Sequence, residues 1–417
     1  MNISNMNNLN ISTNHPLIAN ENEYSLYKKY VSIHSEDRDF SKWPNPALFE
    51  IELPEDITNV VSVRLSAWTF PANYNTFSLA SSNIAMTFKI NKPYNPILNN
   101  LTNDLQIAIF AALSANIDKN FVCIISEGFY NPGQITIELT NRFNAVVTDY
   151  IVNYFNSNPA YTSLLPDFLR TGGYNEFVIV YNVVQQKIWF GNRSSSFILT
   201  NDTIGILDAL STNLKCIRAQ LPDFSNWGLP NNLGLSRFET TSITNPSSLP
   251  RFYYGDVFPG DNGYWLLPNP LLTGSEVYYV ESPFKINLMG EAYIYMDTDQ
   301  FNCIDETSPY NISKFTLHTN QTNGIVNSSL AKFAVPTTPI SQWFDKESQP
   351  YKLYLPPAEK IRKIKCKFRY HNGQLVDFGK FNFTFTLEFT LLNPYKLTKY
   401  KVSDLKNGMV SSAALRS

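Results

Sequence analysis

One segment near the C-terminal end of the chain, residues 381–392 (FNFTFTLEFTLL), alternates apolar and polar residues almost without interruption. The apolar positions of this alternation are Phe381, Phe383, Phe385, Leu387 and Phe389. Successive side chains of a β-strand point to opposite faces, so the spacing predicts a strand with one phenylalanine-rich face. A second sheet or a neighbouring subunit must cover that face. We therefore expect Phe383, Phe385 and Leu387 to be buried.

A similar alternation lies near the N-terminal end. Residues 47–54 (ALFEIELP) place Phe49, Ile51 and Leu53 on one face, and Pro54 is expected to end that strand. Residues 59–71 (NVVSVRLSAWTFP) predict a second strand, whose inner positions would be Val61, Val63, Leu65 and Ala67. Strands at both chain ends with insertions between them are typical of a jelly roll. The sequence thus predicts a mainly β fold: a jelly-roll β-sandwich with a small α+β insertion and long loops.

The middle of the chain carries the helical signals. Residues 103–117 show helical spacing behind a capping Asn103, and a second helix should follow residue 130, with Ile135, Leu139, Phe143 and Val146 on one face. Residues 221–275 are rich in Pro, Asn, Ser and Gly and predict long loops carrying buried aromatic residues. The predicted organisation is a flexible N-terminal arm (1–26), a jelly-roll core (27–91 and 276–395), an insertion with long loops (92–275) and a basic flexible tail (396–417).

Composition limits the classes of partner. The 417 residues carry a net charge of −2, which gives no electrostatic basis for specific nucleic-acid binding. The four cysteines are scattered without a CxxC pair, which predicts a reducing compartment rather than a disulfide framework. The polar N-terminus does not resemble a signal peptide, and the most apolar window, starting at Leu105, is too short to span a bilayer. Membrane contact stays open, but no transmembrane segment indicates it.

Motifs for catalysis are not found in the sequence. The four histidines stand far apart, and neither HExxH, GxSxG nor GxxxxGK[ST] occurs. We therefore expect no enzyme activity, no cofactor and no metal site. Paired acidic residues leave one alternative open, a carbohydrate-binding or sugar-cleaving protein, because glycosidases use two carboxylates across a cleft. These pairs include Glu36/Asp37/Asp39, Glu55/Asp56, Asp297/Asp299 and Asp305/Glu306.

Residues 360–371 (KIRKIKCKFRYH) form the sharpest charge pattern. Alternation points Lys365, Lys367, Arg369 and His371 to the face opposite Ile364, Cys366, Phe368 and Tyr370. Such a basic stripe suits an acidic neighbour. The same pattern is also typical of an edge strand whose lysines prevent aggregation between sheets, and the two interpretations are compatible.

The stretch SEDRDFSKWPNPALFEIELPEDITNVVSVRLSAWTFP, residues 35–71, combines several elements in order. They are Asp37-Arg38-Asp39, the turn Trp43-Pro44-Asn45-Pro46, a strand from Phe49, the corner Leu53-Pro54 and a strand from Asn59 to Leu65. This order resembles the N-terminal signature of minor capsid proteins of nucleocytoplasmic large DNA viruses. Residues 127–144, 187–199, 301–310 and 323–335 are similar to later parts of the same family, so the resemblance touches the chain from Val31 to Leu392.

The resemblance implies a structural virion protein with a jelly-roll core, without catalytic residues, assembled in the host cytoplasm. Its expected partners are the major capsid protein and other minor capsid proteins, and a homo-oligomer stays open. We predict the capsid interface at Asp37, Arg38, Asp39, Trp43, Lys365, Lys367 and Arg369. A cement position beneath the shell and a vertex position fit equally well. A host-attachment fibre domain is a further alternative, although no repeat is visible.

Overall fold

A computed structural model describes most of the chain. It covers residues 23–71, 75–79, 81, 83–200, 228–236, 238–255, 258–307, 326–335, 342–345, 350–371, 373 and 375–395. The predicted tail (396–417) and all but the last four residues of the predicted arm (1–26) lie outside the described residues.

The chain divides into two compact units. The first, here called the sheet unit, comprises residues 1–73 and 293–417, and the second, the insert unit, comprises residues 74–292. These boundaries differ from the expected ones, because residues 74–91 and 276–292 belong to the insert unit. Strand pairing explains the difference, as described below.

The sheet unit is built almost entirely from antiparallel strands. They are β1 (Glu23–His34), β2 (Leu48–Pro71), β10 (Tyr293–Thr298), β11 (Ile304–Thr307), β12 (Val326–Ser329), β13 (Ala331–Ala334), β14 (Gln342–Asp345), β15 (Tyr351–Arg369) and β16 (Thr384–Tyr395). Seven of them form one sheet in the order β1-β16-β2-β15-β10-β13, with β14 also pairing β2, and β11 pairs with β12 separately. Strands from the two ends of the chain therefore lie side by side.

The insert unit combines helices with two small sheets. Its strands are β3 (Ala85–Lys92), β4 (Phe121–Ile124), β5 (Phe177–Asn182), β6 (Lys187–Asn192), β7 (Ser196–Thr200), β8 (Thr240–Thr241) and β9 (Tyr278–Glu281). Its helices are α1 (Asp104–Ser114), α2 (Pro132–Ser157), α3 (Leu165–Arg170) and α4 (Leu229–Asn232). The sheet orders are β4-β3-β7-β8 and β5-β6-β9. Since β3 and β9 find their partners here, the insert unit is larger than the sequence predicted.

The predicted fold class is confirmed: the protein is mainly β, with curled antiparallel sheets of the jelly-roll type. Phe383, Phe385 and Leu387 are buried as predicted, and they share one core with Phe49 of β2. Phe381 lies before β16 and is 55% exposed, so the phenylalanine-rich face begins one step later than the alternation indicated.

Strand β2 runs through the corner that was expected to divide it. Pro54 lies where the pairing with β15 changes register, a place where a missing N–H is tolerated. The pairing with β16 also shifts twice, between Thr390 and Leu391 and between Thr386 and Leu387. Each bulge adds one residue to β2 and turns its inner face over. The buried positions are consequently Val60, Val63, Leu65, Trp68 and Phe70, whereas Val61 and Ala67 are only half-buried.

Both predicted helices are present, the first with its predicted cap and the second with a cap that was not predicted. The Asn103 side chain accepts hydrogen bonds from the backbone N–H groups of Leu105 and Gln106 at the start of α1. Asn131 and Gln134 form a reciprocal capping box at the start of α2. The buried stripe of α2 follows the predicted face through Ile135, Leu139 and Phe143, and then continues at Val147 instead of Val146.

Candidate functional site

The predicted capsid-interface residues near the N-terminal end lie in one turn, residues 35–44, called the Arg38 turn here. Arg38 is only 9% exposed. Its Nη1 donates to the carbonyl of Ser35 at 2.5 Å, its Nε to that of Trp43 at 3.0 Å and its Nη2 to that of Pro44 at 3.4 Å. One guanidinium thus ties the start and the end of the turn together, which fixes how the chain passes from β1 to β2.

The neighbours of Arg38 have different surroundings. The exposed Asp39 carboxylate accepts hydrogen bonds from the Ser41 hydroxyl at 2.6 Å and from the backbone N–H groups of Ser41 and Lys42. These bonds, led by that of the hydroxyl, lower the pKa of Asp39. Asp37 is exposed, and Trp43 packs partly against the core of the sheet unit. Of these three charged residues, Arg38 is the one that binds both ends of the turn, through backbone carbonyls.

The predicted basic stripe of β15 lies opposite acidic residues of β2. Lys363 pairs in register with Glu52, and Lys365 pairs with Glu50. The ion pairs join diagonal rather than directly opposite residues: Arg362 Nε lies 2.8 Å from Glu52 Oε1, and Lys363 Nζ lies 3.6 Å from Glu50 Oε1. Lys365 and Lys367 are half-exposed, and Lys365 Nζ lies 3.8 Å from Asp299 Oδ2. The two lysines therefore remain accessible while acidic neighbours partly offset their charge.

Arg369, the last residue of the predicted stripe, is buried at 3% exposure. Its Nε donates to Asp297 Oδ2 at 2.6 Å, its Nη2 donates to Glu306, and Glu306 Oε2 lies 3.0 Å from His371 Nδ1. Tyr295 stacks on the guanidinium at 5.2 Å. We call Arg369, Asp297 and Glu306 the buried ion cluster. Arg369 is thus placed to hold strands together rather than to meet a partner.

The protonation of this cluster follows from burial and pairing. Burial raises the pKa of Asp297 and outweighs the opposing effect of Arg369. Burial alone would lower the pKa of Arg369, but its hydrogen bonds and charge interactions with Asp297 and Glu306 raise it overall. Asp297 and Glu306 come from two of the acidic pairs noted in the sequence. Their convergence on one arginine depends on the pairing of β10 with β15, which the local sequence pattern does not contain.

The insert unit contains a pocket of about 260 Å³ that sequence analysis did not predict. Its wall is formed by α1, by the residues before β5, by the β6–β7 turn and by a loop around residue 270. Gly173 allows the close approach of this wall to α2, because a Cβ there would lie 2.6 Å from the Thr148 side chain and its φ is +78°. The pocket wall includes one buried carboxyl group, that of Glu176, which is 7% exposed.

Two other features are absent from the described ranges, a side-chain cluster for a metal ion and a membrane-spanning helix. No group of three or more His, Cys, Asp or Glu side chains there is arranged to hold a metal ion. No helix in that part of the chain is both long and apolar enough to cross a bilayer.

Solved structures include proteins to which this chain is similar. The chain is similar to the mavirus penton protein, seen in a crystal structure of its selenomethionine-labelled form, with a TM-score of 0.35 and 7% sequence identity. The match covers 88% of this chain and 99% of that one. A likeness of this extent carries no functional assignment. No family model matches the chain, and no curated protein matches it.

Proposed function

We propose that the protein is a non-enzymatic structural component of the capsid of a large icosahedral DNA virus, a minor capsid protein that stabilises contacts between major capsid capsomers. In this proposal the protein resides in the virion and is assembled in the host cytoplasm. Its partners are the major capsid protein and other minor capsid proteins.

The observation that supports this proposal best is the signature at residues 35–71. Two of its elements resemble those of minor capsid proteins, Asp-Arg-Asp and Trp-Pro-Asn-Pro. Arg38 of the first element donates hydrogen bonds to the carbonyls of Trp43 and Pro44 in the second, and to that of Ser35. The signature therefore has a physical role: it holds β1 and β2 in one curled sheet. A rigid sheet of this kind suits a protein whose task is to hold its shape between neighbours.

The proposed contacts divide into two groups. Asp37, Asp39, Lys365 and Lys367 are exposed or half-exposed and can meet a neighbouring capsomer, together with the accessible part of Trp43. Arg38 and Arg369 are buried and act by positioning the strands that carry these contacts. The sheet also ends at β1, whose Tyr27 and Tyr30 are 50% and 57% exposed. Aromatic residues at a sheet edge are suited to protein contacts.

A binding measurement tests the proposal. The full chain would be titrated against purified capsomers of the major capsid protein from the same virus, and the double variant Lys365→Glu/Lys367→Glu would be compared with wild type. We expect wild type to bind and the variant to bind about tenfold more weakly, because charge complementarity is reversed. The matched control is Lys119→Glu/Lys285→Glu, which changes two exposed lysines of the insert unit.

Two results would contradict the proposal. Wild-type protein that does not bind capsomers would remove the capsid role itself. An equal loss of binding in the control variant would show a general effect of charge and would remove Lys365 and Lys367 from the interface.

A further inference from the structure

The pocket of the insert unit has features that a purely structural role does not use. Glu176 is its most unusual residue. The Oε1 atom accepts a hydrogen bond from Asn269 Nδ2 at 2.6 Å, but Oε2 is buried and has no hydrogen-bond partner among the described residues. A buried acceptor without a donor is unfavourable and rare in folded proteins. A ligand that brings a donor would remove this penalty.

The charges and hydrogen-bonding groups of the pocket indicate which kind of ligand fits. Burial raises the pKa of Glu176, opposed by the hydrogen bond of Asn269, the positive charge of Arg193 and the nearby Ser194. Glu176 and Arg193 both line the pocket, so their charges offset each other and favour a ligand without net charge. The remaining polar groups include the amides of Gln106 and Asn269, which both donate and accept. Hydroxyl groups, which also do both, match such a lining.

The volume of the pocket and its apolar lining residues limit the class of ligand further. The volume of about 260 Å³ lies just below the range of about 300–1,000 Å³ that is typical for drug-sized ligands. The lining also includes the apolar side chains of Phe110, Leu113 and Leu272, which lie on the same two segments as Gln106 and Asn269. A compact ligand that carries both hydroxyl groups and apolar carbon atoms matches this mixture.

We propose that this pocket binds a neutral polyhydroxylated ligand of monosaccharide size, with a hydroxyl group donating to Glu176. This site is independent of the capsid role and would add sugar recognition to a structural protein. It involves no bond cleavage.

Saturation-transfer NMR on the full chain provides the test, with glucose, galactose, mannose, xylose and N-acetylglucosamine as probes at millimolar concentration. We expect transfer to at least one of these sugars. In Glu176→Gln an N–H donor replaces the free acceptor, so the affinity should fall by about tenfold or more. Glu281→Gln, in β9 and outside the pocket, is the matched control and should bind as wild type does.

A second pair of variants guards against misfolding of Glu176→Gln. Leu271 lines the pocket and is 80% exposed, so Leu271→Trp should narrow the entrance without disturbing the core. Leu267→Trp, half-exposed in the same loop and outside the pocket lining, serves as its control. Loss of transfer in Leu271→Trp alone supports the proposal. The absence of transfer from every sugar, or unchanged transfer in Glu176→Gln and Leu271→Trp, would overturn it.

Discussion

The sheet unit and the insert unit handle buried charge in different ways. In the sheet unit the Arg369 guanidinium lies 2.6 Å from Asp297 and also binds Glu306, so the buried charges of opposite sign compensate each other. In the insert unit Glu176 has a neutral amide as its hydrogen-bond partner and one oxygen without any. The first arrangement stabilises a scaffold. The second arrangement leaves the Glu176 Oε2 atom able to accept a hydrogen bond from a ligand.

The two units also differ in how far along the chain their contacts reach. In the sheet unit β1 pairs with β16, which brings Ile33 beside Phe385 from the other end of the chain. In the insert unit β5 and β6 form a hairpin, and α2 packs on the nearby β5. The sheet unit can therefore form only once both chain ends are present, whereas every strand pair of the insert unit joins residues between 85 and 281. Four variants test this difference between the units, and their expected effects on the free energy of unfolding decrease from the first to the last.

The largest effect is expected in the long-range core. Phe385→Ala should lower the free energy of unfolding by about 3–5 kcal/mol, because Phe385 is fully buried on β16, between β1 and β2 from the other end of the chain. Phe381→Ala, at an exposed position just before β16, is the control and should change it by less than about 0.5 kcal/mol. Urea denaturation of the full chain measures both. A loss below about 1 kcal/mol for Phe385→Ala would remove this residue from the core.

Next in size is the buried ion cluster. Arg369→Met should lower the free energy of unfolding by about 3 kcal/mol, because it leaves the carboxylates of Asp297 and Glu306 without their cation. The control is Arg362→Met, which removes an exposed ion pair with Glu52 and lies on the same strand as Arg369. It should lower the free energy of unfolding by less than about 1 kcal/mol. Equal losses in the two variants would mean that burial of the cluster contributes nothing.

A smaller effect is expected in the Arg38 turn. Arg38→Met keeps the apolar stem but removes the hydrogen bonds to the carbonyls of Ser35, Trp43 and Pro44, so it should cost about 1–2 kcal/mol. Lys42→Met, an exposed change in the same turn, is its control. If Arg38→Met unfolds at the wild-type denaturant concentration, the turn does not depend on the guanidinium.

The smallest expected effect is the contribution of Glu176 to the pH dependence of the free energy of unfolding. Its pKa is raised in the folded protein, so its contribution to stability is present below the ordinary glutamate pKa of about 4.3 and is lost as the pH rises through the folded value. Glu176→Gln should remove this dependence and make the variant slightly more stable than wild type near neutral pH. Parallel pH profiles of the unfolding free energy for the two proteins would contradict the assignment of a raised pKa.

The sequence predicted what depends on neighbouring residues. Alternation identified the buried face of β16, and the Asn103 cap identified the start of α1. The local sequence could not predict the bulges of β2, because these depend on the register in which β16 pairs with β2. Val61 was accordingly placed inside, where Val60 is found.

The functional residues show the same division. Alternation along β15 predicted the exposure of Lys365 and Lys367, but it also assigned Arg369 to the surface, whereas Asp297 and Glu306 hold it inside. Glu176 carries no local signal at all, since it is a single acidic residue before a strand. Its hydrogen-bond partner, Asn269, lies far along the chain.

The proposed role as a structural part of a virus capsid is tested most directly by cryo-electron microscopy of purified particles of the virus that, on this proposal, encodes the chain. We expect density for the curled sheet of the sheet unit beside major capsid capsomers, with Lys365 and Lys367 at the contact. Particles that lack the protein, while it accumulates in infected cells, would contradict the claim.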